Sequence, residues 1–190
     1  MIKLHSGLSA TALALLAAAA TPSLAQQVDT AKSEIGFVSK QMGVPVEGKF
    51  KKWTAQIAFD PKKAAAGKVA FTIETGSASF GTAETDAEVV KPAWFNVPKF
   101  PQASFTSTTI KPLGAGKFEV AGKLSIKGNS RDVVVPVTVV QNGALSTATG
   151  AFAMKRLEFK IGEGEWADTS MVADEVQVKF KLALTGLGPL

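Results

Sequence analysis

The 190-residue chain carries 21 Lys and Arg against 16 Asp and Glu, a formal charge of +5, with no Cys, no Tyr and one His. The positive excess is spread thinly, with no Lys/Arg run of the kind that tracks a phosphate backbone, which argues against nucleic acid as a partner. Without cysteine no disulfide can staple the chain, so a hydrophobic core alone must hold the fold.

The chain begins with a short head bearing Lys3, followed by an uncharged Ala- and Leu-rich run from Leu8 to Ala20. That run is about 13 residues, short of the roughly 20 that span a bilayer. Pro22 breaks it, and Ser23-Leu24-Ala25 supplies the small-x-small pattern that signal peptidase reads. The expectation is a cleaved signal peptide over 1–25 and a single domain over 26–190. In the absence of eukaryotic processing signals, the destination is a bacterial periplasm. His5 leaves with the signal peptide, so the remaining chain has no His, Cys or Tyr.

From Ser33 onward the pattern is alternation of period two, the signature of strands with one apolar and one wetter face. Eight or so strands are predicted, near 33–39, 44–50, 52–59, 68–79, 102–111, 117–127, 131–141 and 144–154, with a last one at 175–184. The clearest faces are Val69/Phe71/Ile73, Phe118/Val120/Gly122/Leu124/Ile126, Val133/Val135/Val137/Val139 and Val176/Val178/Phe180/Leu182/Leu184. Turn signals separate them at Asp60-Pro61, Pro112 to Gly116, Gly128-Asn129 and Asn142-Gly143. The last predicts a type I′ hairpin, with positive φ at both residues. One segment breaks the rhythm. Thr85 with Glu88 three residues on reads as a capping box that opens a short helix over about Asp86 to Val90, stopped by Pro92. An aromatic, Pro-rich hook follows (WFNVPKFP, from Trp94), and helix plus hook resemble a lid at a barrel mouth. The fold class is therefore all-β, an extended eight-stranded antiparallel barrel with a short helix/lid insertion.

The missing residue types narrow the chemistry. Ser-His-Asp and Cys-His catalysis, general acid–base work by imidazole, zinc, copper and non-haem iron sites built on His or Cys, and His or Cys haem ligation are all closed. No G-x-G-x-x-G or P-loop is present. Carboxylates remain, in one group of Glu84, Asp86 and Glu88 and another of Glu163, Glu165, Asp168, Asp174 and Glu175. A glycosidase would need two of them facing across a cleft, and a calcium site would need several oxygens on one ion. Neither group has EF-hand spacing, so solvated loop charge is the default and no metal or catalytic residue is assigned.

Several segments in combination are specific. They are Val28 to Phe37 (VDTAKSEIGF), Val46 to Phe50 (VEGKF), the strand end Phe59-Asp60-Pro61, Thr85-Asp86, Trp94 to Phe105 (WFNVPKFPQASF), Val120 to Gly128 (VAGKLSIKG) and Gly162 to Trp166 (GEGEW). On these the chain, from about Val28 to Leu184, resembles the YceI family of periplasmic lipocalin-like proteins. The resemblance implies a lipocalin-like cavity that binds a polyisoprenoid chain, either polyprenyl phosphate or a ubiquinone-like lipid. It also brings dimerisation of some members (a homodimer) and a link with membrane di-haem cytochromes b as partners. One position departs: Lys32 stands where the family often has histidine, so any role of that imidazole is absent here.

An eight-stranded barrel either fills itself with side chains or holds one slender ligand, and a prenyl tail gains about 0.8 kcal/mol per buried methylene-sized group. The expected lipid-binding wall is Phe37, Phe50, Trp53, Phe71, Phe80, Phe105, Leu124 and Phe180, with Trp94, Phe95 and Phe100 at the lid. The leading reading is a periplasmic carrier of an isoprenoid-type lipid, and not an enzyme. Its alternatives are a carboxylate-dependent periplasmic hydrolase and a structural or interaction barrel with a self-filled core. An outer-membrane barrel fits less well, because its aromatic girdles and lipid-facing apolar band are missing and the chain ends in Gly188-Pro189-Leu190.

Overall fold

The computed structural model describes residues 26–190; the expected signal peptide, with Lys3 and His5, lies outside the described residues. Ten strand segments form one antiparallel sheet: β1 (Gln27–Gln41), β2 (Val44–Phe50), β3 (Trp53–Ala58), β4 (Lys68–Glu74), β5 (Ala78–Ser79), β6 (Gln102–Gly114), β7 (Lys117–Ile126), β8 (Asn129–Asn142), β9 (Leu145–Lys155) and β10 (Glu175–Thr185). Two pairs are single strands with a kink. β2 and β3 are separated only by Lys51 and Lys52, and β4 and β5 by a 3-10 turn over Thr75–Ser77. β2 pairs β5 and β3 pairs β4 in nearly continuous register, and the Lys51 N–H donates to the Ser77 carbonyl across the interruption. Ten segments thus reduce to the eight strands of the expected barrel, with the predicted strands 44–50 and 52–59 joined as one kinked strand.

The ring closes on β1. It pairs β10 on one side and β2 on the other, and where β2 ends, the buried Gln26 continues the seam toward β3. The Gln26 N–H donates to the Ile57 carbonyl (2.9 Å), and its side-chain oxygen accepts from the Phe59 N–H (2.7 Å). Strands in a closed barrel leave no long unpaired edge. β1 begins well before its predicted start, because residues 27–34 have no apolar alternation but still pair with β10 across a register shift between Asp29 and Glu34. Backbone pairing rather than side-chain burial makes that stretch a strand.

Each two-residue hairpin has its own turn chemistry. Met42-Gly43, Ala115-Gly116 and Lys127-Gly128 have positive φ at both positions, the type I′ form whose twist suits a hairpin. The Asn142-Gly143 expectation is corrected by one residue. Asn142 pairs with Leu145, so Gly143-Ala144 is the loop and positive φ falls on Gly143 alone, as a type II′ turn requires. The predicted strand over 68–79 is interrupted, because Thr75 turns inward (1% exposed) and its hydroxyl donates to the Phe100 carbonyl. The helix α1 (Ala83–Glu88) begins earlier than predicted. Thr82 is its N-cap and Thr85 lies inside it, so the Thr85/Glu88 capping box does not form. The Thr82 hydroxyl is drawn to the Thr85 hydroxyl instead.

The two barrel ends are finished differently. At one, a 3-10 turn over Pro61–Ala66, capped by the Asp60 carboxylate on the Lys62 N–H, buries Ala64, and Phe59 meets Phe118 edge-on at 5.0 Å. At the other stand the β1–β2 hairpin, α1 with the hook after it, and the long connection between β9 and β10.

Three phenylalanines lie across glycines of the adjacent strand. A Cβ on Gly48 would meet the Phe37 ring at 2.4 Å, one on Gly122 the Phe105 ring at 2.4 Å, and one on Gly150 the Phe180 ring at 2.5 Å. Rings laid on bare backbone this way pin register and curvature. Gly150→Ala should therefore destabilise the protein by about 1–3 kcal/mol, because the added methyl also meets the Pro136 carbonyl oxygen at 2.7 Å. Urea unfolding followed by tryptophan fluorescence checks this, with a lowered midpoint expected at unchanged m-value.

Candidate functional site

The interior is not filled. A cavity of about 530 Å³ runs the height of the barrel from Phe59 and Leu187 at the closed end to α1 and Trp166 at the other. Every long strand contributes its inward face, including Val69/Phe71/Ile73, Phe118/Val120/Leu124/Ile126, Val135/Val137/Val139 and Val176/Val178/Phe180/Leu182/Leu184. The register shift in β6 between Ser107 and Thr109 moves its inward set from Ala103 and Phe105 to Ile110. Polar lining is confined to one end, where Ser39, Gln41, Glu84, Thr85, Glu88 and Arg156 gather at the mouth.

Of the expected wall residues, Phe37, Phe50, Phe71, Phe80, Trp94, Phe95, Phe105, Leu124 and Phe180 line the cavity. Phe95, Phe50, Phe37 and Phe80 form a continuous aromatic series near the mouth, with centroid spacings of 6.1, 5.2 and 5.0 Å. Trp53 and Phe100 do not line it. Trp53 falls at the β2/β3 kink, in a separate polar cleft with Thr54, Thr72 and Lys52. Phe100 packs on the β7–β8 turn, where a Cβ on Gly128 would meet its ring at 3.1 Å. Alternation could not place either one, since both stand where the strand pattern is interrupted. Lys32 is also outside the cavity: it is exposed on the β1 bulge and paired with Asp29 at 3.1 Å. Wall residues the sequence reading did not single out as ligand contacts include Phe59, Phe152, Met154, Trp166 and Arg156. Phe152 and Met154 alternate along β9 and could have been found that way; Arg156 carries no such signal.

The mouth is held together by two buried cations. Arg156 is 2% exposed and spends all five N–H donors on backbone carbonyls: Nε on Ala173, one terminal nitrogen on Ile161 and Gly162, the other on Trp166 and Val172, at 2.7–3.1 Å. Burial draws its pKa down, partly offset by the charge of Asp174. Gly162 is required beside it. Its φ is +78°, and a Cβ there would sit 2.2 Å from the guanidinium. Lys127 sends its ammonium to the carbonyls of Pro92 (2.8 Å) and Lys160 (2.7 Å) and to the Glu163 carboxylate (2.8 Å), so it ties the hook to the β9–β10 connection. That bond from Lys127 holds the Glu163 carboxyl below its ordinary pKa. The Gly162 and Glu163 N–H groups both donate to the Ala93 carbonyl.

The acidic groups disperse into separate local roles. Asp86 anchors α1 to the barrel by accepting from the Phe80 N–H (2.6 Å) and the Ser79 hydroxyl (2.8 Å). Asp168 accepts from Ser170, Asp174 from the Leu157 N–H, and Glu88 pairs with Lys91. Among the described residues no three Asp or Glu are grouped to hold a metal ion.

Comparison with known proteins gives a consistent picture. Residues 26–184 match the YceI-like domain family. A UPF0312 protein of Shewanella baltica (strain OS185) is 30% identical over 166 residues, covering 83% of this chain and 86% of that protein. The crystal structure of BcnA from Burkholderia cenocepacia superposes with a TM-score of 0.80 at 51% identity, covering 83% of this chain and 99% of that one. A polyisoprenoid binding domain from Saccharophagus degradans shares the fold, with a TM-score of 0.68 at 16% identity over 85% of this chain and 98% of its own.

Two expected outcomes follow from the mouth. Arg156→Lys keeps the charge but cannot reach five carbonyls, and the stranded acceptors should cost about 2–3 kcal/mol. Hydrogen exchange should then show lost protection across 157–174 while β7 and β8 stay protected. The second outcome concerns pH. The Phe80 N–H, then the Ser79 hydroxyl, lower the Asp86 pKa from the ordinary 3.8. The stabilisation of α1 by Asp86 is therefore complete above 3.8 and is lost as pH falls through the lower folded-state value. In Asp86→Asn, the near-ultraviolet circular dichroism of the mouth aromatics should be weakened already at neutral pH, with the acid-dependent step gone.

Proposed function

The chain belongs to the YceI-like family, and on that premise we propose that it is a periplasmic carrier that holds an isoprenoid-type lipid, polyprenyl or quinone-like, in its barrel. The observation that carries the reading is the cavity: long, walled by aliphatic and aromatic side chains, and polar only at one end. Its volume falls within the range of about 300–1,000 Å³ usual for ligand pockets. Its length, on the order of 20 Å for nine β7 residues at a barrel tilt, suits a chain better than a compact molecule. Each methylene-sized unit buried adds about 0.8 kcal/mol without any polar contact.

A neighbour of the same fold is described as a polyisoprenoid binding domain, which supports the same class of ligand here. The periplasm is supported by the signal-peptide pattern of residues 1–25. Binding rather than catalysis is supported by the absence of His, Cys and Tyr after residue 25 and by the local structural contacts of Asp86, Glu163 and Asp174.

Native mass spectrometry of protein purified from a bacterial periplasm tests the reading. A bound species with the mass of a prenyl lipid is expected, and its loss in Ala148→Phe. Ala148 is buried on the cavity wall, and a ring there would obstruct the lumen while adding only apolar bulk. An empty wild-type barrel that also fails to take up prenyl lipid after purification would overturn the proposal.

A further inference from the structure

We infer that the β1–β2 hairpin and the turn beside it dock the barrel mouth on a bilayer surface, where a lipid guest passes between membrane and cavity. This rests on the carrier reading and adds the partner. Two short segments meet here, residues 40–44 and 168–172. The Met42 N–H donates to the Met171 carbonyl (2.9 Å), the Ala173 N–H donates to the Lys40 carbonyl (2.9 Å), and Gln41 bridges Val172. The Asp168 carbonyl accepts from the Met171 and Val172 N–H groups, and its carboxylate accepts from the Ser170 N–H and hydroxyl. On this fixed backbone three apolar side chains stand in solvent: Met42 is 73% exposed, Val44 63% and Met171 47%.

Neither backbone nor packing accounts for Met42. It holds the first loop position of a type I′ turn at φ +48°, a conformation that favours Asn, Asp or Gly. At the same position of the β7–β8 turn, Lys127 spends its ammonium on three acceptors. Met42 instead extends an apolar side chain into water. Exposed apolar residues grouped in this way mark a surface that meets a partner. The position and charge of the group indicate which one. Gln41 and Val172, each next in sequence to an exposed methionine, line the cavity, so the group borders the opening an apolar guest must pass. Leu113 and Leu145 are exposed at the opposite end, but neither is next in sequence to a lining residue. Lys40 and Asp168 are the only charges in the two segments, and they cancel. An uncharged apolar tip suits the headgroup–acyl boundary, where burial of apolar area supplies the attraction.

Co-sedimentation with phosphatidylcholine vesicles tests this on the full chain. Wild type and the control Leu113→Thr/Leu145→Thr should sediment with the vesicles. Met42→Asn/Val44→Thr/Met171→Gln should bind them about tenfold more weakly, although Asn tolerates the positive φ and Thr suits the strand. Adding phosphatidylglycerol or raising the salt should change neither result. Because the chain has no Cys, Val44→Cys and Leu145→Cys each take one environment-sensitive fluorophore, and only the first should shift to the blue on vesicles. Farnesol added from solution should bind wild type and the tip variant equally. The inference is overturned if wild type stays in the supernatant, if the tip variant sediments fully, or if both fluorophores shift alike. It is also overturned if binding requires phosphatidylglycerol and salt abolishes it, or if the tip variant instead loses self-association, which would make a second copy the occupant. Any of these with farnesol bound leaves the carrier reading standing. No farnesol bound by wild type would overturn the carrier reading and this inference with it.

Discussion

Eight strands closed into a ring set the girth of the interior before any side chain is chosen. Everything else in this molecule answers the question of what occupies that fixed space. In a self-filled barrel, large inward residues from facing strands would meet at the axis. Here Phe37, Phe105 and Phe180 lie back against the bare backbone of Gly48, Gly122 and Gly150, so three of the bulkiest residues thicken the wall and leave the axis clear. The remaining inward positions mix Val, Ile, Leu and Ala with further aromatics such as Phe71, Phe118 and Phe152, and the space between them stays open. Openness is thus a property of side-chain volume and ring orientation, not of strand number.

A hollow barrel exposes its ends, and the two ends solve this with different materials. The closed end uses apolar packing of Phe59, Ala64, Ile110 and Phe118 under a short 3-10 turn. The mouth uses buried charge. Arg156 and Lys127 hold irregular backbone in place by serving as donors to carbonyls that no strand or helix could satisfy. A guanidinium is suited to this because its flat fork addresses several acceptors at once. The aromatic series from Phe95 to Phe80 and the Asp86 anchor then join α1 and the hook to the strands. Covalent staples are absent from all of this, in keeping with a chain that has no cysteine.

The strands were legible because alternation reports directly on which face is dry, and the inward sets on β4, β7, β8 and β10 follow that alternation through to the cavity wall. What the alternation could not report was any backbone held by something other than burial. The polar start of β1 is a strand because it closes the seam. The break at Thr75 exists because one hydroxyl finds the Phe100 carbonyl. The hairpin at Gly143 starts one residue later because Asn142 completes a ladder pair. The same limit applies to the site. Nine of the eleven expected wall residues line the cavity, while Trp53 stands at the kink with its ring 6.3 Å from Phe71 and Phe100 packs on the β7–β8 turn. Arg156 went unnoticed because its environment consists of carbonyls drawn from a connection with no periodic pattern of its own.

The asymmetry of the two ends also bears on traffic. A tunnel that is polar at one end and apolar along the rest of its length orients its guest: an apolar tail would lie deep, with its last-seated part the first to leave. Whatever group the guest carries at its head would stay at the threshold throughout its stay, facing outward between α1 and Trp166. Depth rather than wall chemistry would then limit the tail, since Phe59 and Leu187 line the cavity at its far end. A shorter guest would leave part of the lumen unfilled, and a longer one would project from the mouth.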